Sequence, residues 1–105
     1  MSKLDTSVRP ACAKVPVAQI RRFQNDFPAC SFQFELQLTC HGLDGLSRFC
    51  QLLKVSQLTL ISLRFGQSGK LYCVLRDSGS AGIETLAEGI DHAGHLETWT
   101  THLLY

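Results

Sequence analysis

Residues 32–39 alternate strictly between apolar and polar side chains. The apolar positions are Phe32, Phe34, Leu36 and Leu38, and the polar positions are Gln33, Glu35, Gln37 and Thr39. Because successive side chains of a β-strand point to opposite faces of the sheet, this pattern predicts a strand with one buried face and one polar face. A sheet that is covered on one side only is typical of antiparallel α+β folds.

Further helices and strands are predicted after this strand. In chain order they are a helix that ends near residue 55, a strand over residues 58–65, a strand over residues 70–76, a helix from about residue 82, and a strand over residues 95–104. Asp44 is placed to cap the first helix, because its carboxylate can accept hydrogen bonds from free backbone N–H groups of the first turn. Gly94 has the position of a C′ residue that ends the second helix.

The order strand, helix, strand, strand, helix, strand predicts one architecture. Right-handed crossovers join these elements into a ferredoxin-like βαββαβ sandwich, an α+β fold with a four-stranded antiparallel sheet and two helices on one face. We assign residues 31–105 to this domain. Residues 1–30 hold all three prolines and form an N-terminal extension that is expected to be partly flexible, with a short helix or an extended arm over residues 17–27.

Composition narrows the class of function. Ten basic residues stand against nine acidic ones, so no positive excess drives general nucleic-acid binding. No apolar run approaches the roughly 18 residues of a membrane helix. The cysteines are Cys12, Cys30, Cys40, Cys50 and Cys73, an odd number without a C-x-x-C pair, which favours reduced thiols and a cytoplasmic protein. The apolar fraction of 45% favours a homodimer or higher homo-oligomer.

Catalytic and metal-binding signatures are lacking. Cys40, Cys50 and Cys73 fall at predicted strand or helix positions, which favours burial and inert thiols. His92 and His95 have no second ligand pair at zinc-site spacing, and His92 is better placed to complement the negative end of a helix dipole. We therefore predict no enzyme activity, no cofactor and no metal.

An RNA-recognition domain shares the same element order and is the natural competitor. Its third strand carries aromatic rings that stack on bases. Here that strand offers Tyr72 as its single aromatic residue and lacks the expected glycine, so RNA binding is not favoured.

The residues from Phe34 to Leu104 resemble the ACT domain, a small regulatory module of amino-acid metabolism. Two segments carry the resemblance: Gly45, Leu46, Ser47 and Arg48 stand where the family's loop glycine and first helical turn belong, and Leu60, Ile61, Ser62 and Leu63 stand where its second strand belongs. Asp44 stands where the family often has proline. Its negative charge would repel a ligand carboxylate if it faced the pocket.

The resemblance implies a ligand site between two copies of the domain. The implied ligand-binding residues are Gly42, Leu43, Asp44, Gly45, Leu46, Leu60, Ile61 and Ser62. It further implies a stand-alone regulatory module that binds an amino acid or related small effector at a homodimer interface and modulates a partner enzyme, as a short regulatory subunit of acetolactate synthase does. The alternative is a ligand-free oligomerisation or protein-interaction domain, in which Gly42 and Gly45 only shape a tight turn.

Overall fold

The computed structural model describes residues 3–8, 14–66, 68–77 and 82–104, with the backbone alone for residues 3–8. In chain order the elements are β1 (Lys3–Val8), α1 (Val17–Asp26), β2 (Ser31–Cys40), α2 (Gly42–Ser56), β3 (Thr59–Phe65), β4 (Lys70–Asp77), α3 (Gly82–Ala93) and β5 (Gly94–Leu104). Cys12, one of the five cysteines, and Tyr105, the last residue assigned to the domain, lie outside the described residues. The protein has an α+β fold.

All the described strands form one antiparallel sheet, in the order β1-β5-β2-β4-β3. The predicted count of four strands was too low, because β1 pairs with β5 along its whole length. Of the two alternatives for residues 17–27, a short helix or an extended arm, the structure has the helix, and α1 adds a third helix to the two predicted for the sandwich. The division of the chain at residue 30 stays a prediction, although Ile20 of α1 is part of the main hydrophobic core.

The core lies between one face of the sheet and the helices. The alternation predicted for β2 is confirmed, since Phe32, Phe34, Leu36 and Leu38 are all buried. The Phe34 ring packs on the Trp99 ring of β5, with centroids 5.2 Å apart. Truncating a buried phenylalanine of this kind to alanine costs about 3–5 kcal/mol. The apolar face of β2 therefore fixes which side of the sheet the helices cover.

The helices contribute their apolar stripes to the same core. From α2 the buried side chains include Phe49 and Leu53, and from α3 they include Ile83, Leu86 and Ile90. The opposite face of the sheet carries the polar residues of β2. No described helix covers it, and we call it the open face.

The predicted start of the first helix was wrong, whereas the second helix ends directly before Gly94, as predicted. α2 begins at Gly42 with His41 as its N-cap, so Asp44 is not the cap but lies in the first turn. Its negative charge there still favours the positive end of the helix dipole. At the other boundary β5 begins at Gly94 itself, directly after α3. A side chain at Gly94 would touch the Thr39 carbonyl oxygen, so close strand approach explains this glycine.

Candidate functional site

The first group of predicted ligand residues lies at the start of α2. A single residue, His41, separates β2 from this helix, and Gly42 turns the chain with a positive φ of 65°. Gly42, Leu43 and Asp44 are exposed, and the exposed fraction of Leu43 reaches 73%. The segment predicted to be a loop is therefore the exposed first turn of a helix.

Gly45 is buried and has a structural explanation. Its N–H donates to the His41 carbonyl at 3.0 Å, so this group is not available to a ligand. A Cβ on Gly45 would meet the Ala93 carbonyl oxygen and would lie 3.3 Å from Cys40. The same Ala93 oxygen accepts the His41 N–H at 3.1 Å. Gly45 thus lets the start of α2 approach the junction of α3 and β5.

What remains for a ligand at the start of α2 is its first turn. The first N–H groups of a helix have no intrahelical acceptor, and the dipole favours an anion there. The carboxylate of Asp44 occupies the same turn, which weakens the attraction for a second negative charge. Leu46 is half-buried and packs on the core.

The second group of predicted residues lies on β3. The register with β4 shifts between Leu60 and Ser62, so Ile61 forms a bulge. Leu60 and Ile61 are 48% and 46% exposed. Ser62 pairs with Val74 and faces the open side of the sheet. These three residues therefore do not share one surface.

Within one chain the two groups lie at opposite ends of the sheet. Leu60 pairs with Leu75, whereas Phe65 pairs with Leu71. Leu71 in turn pairs with Leu38, near the end of β2 from which α2 starts. Five residues of strand separate these ends by roughly 16 Å. A single copy of the described chain does not bring the predicted residues into one site.

β3 is also an outer strand of the sheet. Its neighbour on one side is β4, and the described strands place none on its other side. At the opposite edge of the sheet the outer strand is β1, which pairs with β5. The free edge of β3 therefore presents unpaired backbone groups beside the exposed side chains of Leu60 and Ile61, which is the usual setting for pairing with another strand.

The open face of the sheet holds a polar network that the sequence did not predict. Glu97 of β5 accepts hydrogen bonds from Gln37 and Thr39, both at 2.7 Å, and from Lys70 at 3.3 Å. The hydrogen bond from Thr39, then that from Lys70, lowers the pKa of Glu97 below its ordinary value of 4.5. Only strand register brings these residues together, because they come from three separate strands.

The cysteines divide into buried and exposed thiols. Burial raises the pKa of Cys73 to about 12, and it also raises the pKa of Cys40. The prediction that Cys50 is buried was wrong, because it lies on the exposed side of α2. Cys30, Cys40, Cys50 and Cys73 are all free thiols.

The described residues contain no group of three potential metal ligands. None of the helices in this part of the chain is long and apolar enough to cross a membrane. Comparison with protein-family models, with curated proteins and with solved structures gives no match to this chain.

Proposed function

We propose that this protein is a stand-alone regulatory module similar to ACT domains, with a ferredoxin-like core formed by β2 to β5. It would act in the cytoplasm as a homodimer, bind an amino acid or related small effector at the seam between the copies, and modulate an enzyme of amino-acid metabolism. The observation that carries the proposal is the free, partly apolar edge of β3. Free thiols at all four described cysteines fit a reducing compartment.

Pairing of two β3 edges about a two-fold axis would complete the site. Antiparallel pairing would set the Leu60 end of one β3 beside the Phe65 end of the other. In each copy, the Phe65 end of β3 lies at the end of the sheet where α2 begins. It would carry Leu60 and Ile61 of one copy toward Gly42 and Leu43 of its partner. Residues that lie apart in one copy would then face a shared seam, and the combined sheet would keep all helices on one side.

The alternative is a ligand-free oligomerisation domain with the same seam. The packing of Gly45 against the Ala93 carbonyl favours it, because that glycine is explained without a ligand. In this case β3 still pairs with a second copy, and the start of α2 serves only to join β2 to the helical layer.

Thermal unfolding in the presence of each of the common amino acids at millimolar concentration tests the proposal, together with the mass in solution. A dimer whose melting temperature rises with one or a few amino acids supports the regulatory module, because a ligand stabilises the state that it binds. A dimer that no amino acid stabilises supports the ligand-free alternative. A monomer contradicts both.

A matched pair of variants tests the seam. Ile61→Lys sets a charge on the β3 edge and is expected to abolish the dimer, because an edge lysine opposes strand pairing. Ala18→Lys adds the same charge to an exposed position of α1 and is expected to leave the dimer unchanged. If Ile61→Lys remains a dimer, the seam lies elsewhere.

A further inference from the structure

A shallow depression of about 250 Å³ lies on the open face of the sheet, away from the start of α2. Its walls come from β2, β3, β4 and β5, and they include Glu35, Ser62, Arg64, Tyr72, Val74 and Thr100. Pockets for drug-sized ligands measure about 300–1,000 Å³. The depression therefore suits a smaller molecule, of the size of a single amino acid.

Arg64 is the basic residue among those that line this depression. Two other basic side chains of the open face are engaged, Lys70 with Glu97 and Arg76 with Gln33. No hydrogen bond or ion pair joins the Arg64 guanidinium to another described residue. Its five N–H donors form a planar fork that matches a carboxylate.

The neighbours of Arg64 complete a surface for a small amphipathic molecule. Ser62 lies two residues before it on the same face of β3, and its hydroxyl can donate to the same anion. Tyr72 pairs with Arg64 across the strands, and the exposed fraction of Tyr72 is 50%. With Val74 it offers an apolar floor beside the guanidinium.

Glu35 sets the limit on ligand charge. Its side chain borders the depression on β2 and hydrogen-bonds to His102 of β5. This carboxylate repels a second negative charge on the ligand and tolerates an ammonium group. The chemistry of the depression therefore matches one carboxylate on a small aliphatic body, with or without an amino group.

We propose that the open face of the sheet is a binding site for a small aliphatic monocarboxylate, anchored by Arg64. Amino acids and simple carboxylic acids share this chemistry. The site uses the open face of β3 and its neighbours, whereas the seam of the proposed function uses the free edge of β3. Because binding on the face needs no second copy, either proposal can fail without the other.

Titration of ¹⁵N-labelled full-length protein followed by amide NMR tests this site, with isovalerate, L-valine and succinate as probes. Isovalerate or L-valine is expected to shift the amides of residues 62–64 and 72–74, with succinate at least about tenfold weaker because of Glu35. If isovalerate alone binds, the site takes simple carboxylates, and if L-valine binds more tightly, it takes amino acids. The proposal would be overturned if neither isovalerate nor L-valine shifts the amides of residues 62–64 and 72–74 at 10 mM. It would also be overturned if succinate binds as tightly as these two probes.

Variants separate this site from the seam. Arg64→Gln is expected to weaken isovalerate and L-valine at least about tenfold, because a charge-assisted bidentate pair is lost. Arg64→Lys should give an intermediate affinity, since it keeps the charge but not the fork. Arg22→Gln removes an exposed guanidinium from α1 and should leave binding unchanged. Wild-type affinity in Arg64→Gln refutes the anchor, while amino-acid shifts confined to residues 42–46 and 60–61 would assign binding to the seam instead.

Discussion

Alanine at Gly45 separates the packing explanation of this glycine from a direct role in ligand binding. The new Cβ would touch the Ala93 carbonyl oxygen, a backbone atom that cannot rotate away, and would crowd Cys40 at 3.3 Å. Overpacking a buried position costs about 1–3 kcal/mol, and a rigid contact lies at the upper end. The helix propensity of alanine returns up to about 1 kcal/mol. We expect a net loss of about 2 kcal/mol, or roughly 8–16 °C in melting temperature.

The matched control is Gly42→Ala in the same helical turn. A Cβ at Gly42 meets nothing within 4 Å, and only the positive φ of 65° opposes it, at about 1 kcal/mol. Urea unfolding followed by circular dichroism, without added ligand, measures both variants. The packing explanation is refuted if Gly45→Ala is as stable as the wild type, or if it is no less stable than Gly42→Ala.

Three further predictions follow from single contacts. Gln57 ends α2 in the left-handed region with φ 62°, so Gln57→Gly should raise the free energy of unfolding by about 0.5–1 kcal/mol in urea titrations. The control Gln51→Gly, in the exposed interior of the same helix, should lower it by about 1 kcal/mol. Because the pKa of Glu97 is lowered in the folded protein, its carboxylate contributes stability at neutral pH that is lost as the pH falls below 4.5. The difference in unfolding free energy between the wild type and Glu97→Gln should therefore shrink on acidification, and a constant difference would contradict the network. Iodoacetamide should label Cys50 well before Cys73, because Cys50 is exposed while burial raises the pKa of Cys73 to about 12. Peptide mass spectrometry measures the order of labelling, and the reverse order would contradict the packing of α2 on the sheet.

Local sequence patterns predicted the central strands and helices, because the order of apolar and polar residues within one element reflects which of its faces is buried. The alternation over residues 32–39 identified β2 and its buried face, and β-branched and aromatic residues identified β3. β1 was missed because Lys3–Val8 has no comparable alternation, and pairing with β5 rather than local sequence makes it a strand. The start of α2 was misplaced because Asp44 was taken as its N-cap, whereas Gly42, with its positive φ, already turns the chain from β2 into the helix.

The candidate sites were harder to predict because they depend on register and on close approach. Gly45 looks like a loop glycine in sequence, and only the position of Ala93 shows that its missing side chain makes room for a carbonyl. The depression around Arg64 draws on four strands, and no spacing along the chain links Arg64 to Glu35 or Thr100. Charge composition alone could not show that Lys70 is bound to Glu97 while Arg64 has no ion-pair partner among the described residues.

The central claim is that two copies join through β3 to build a seam that neither has alone. Light scattering coupled to size exclusion, repeated over a range of protein concentrations, tests it most directly. The claim predicts twice the chain mass of 11.7 kDa for the wild type, and the single mass for Ile61→Lys. A wild-type protein that keeps the mass of one chain at every concentration would contradict it.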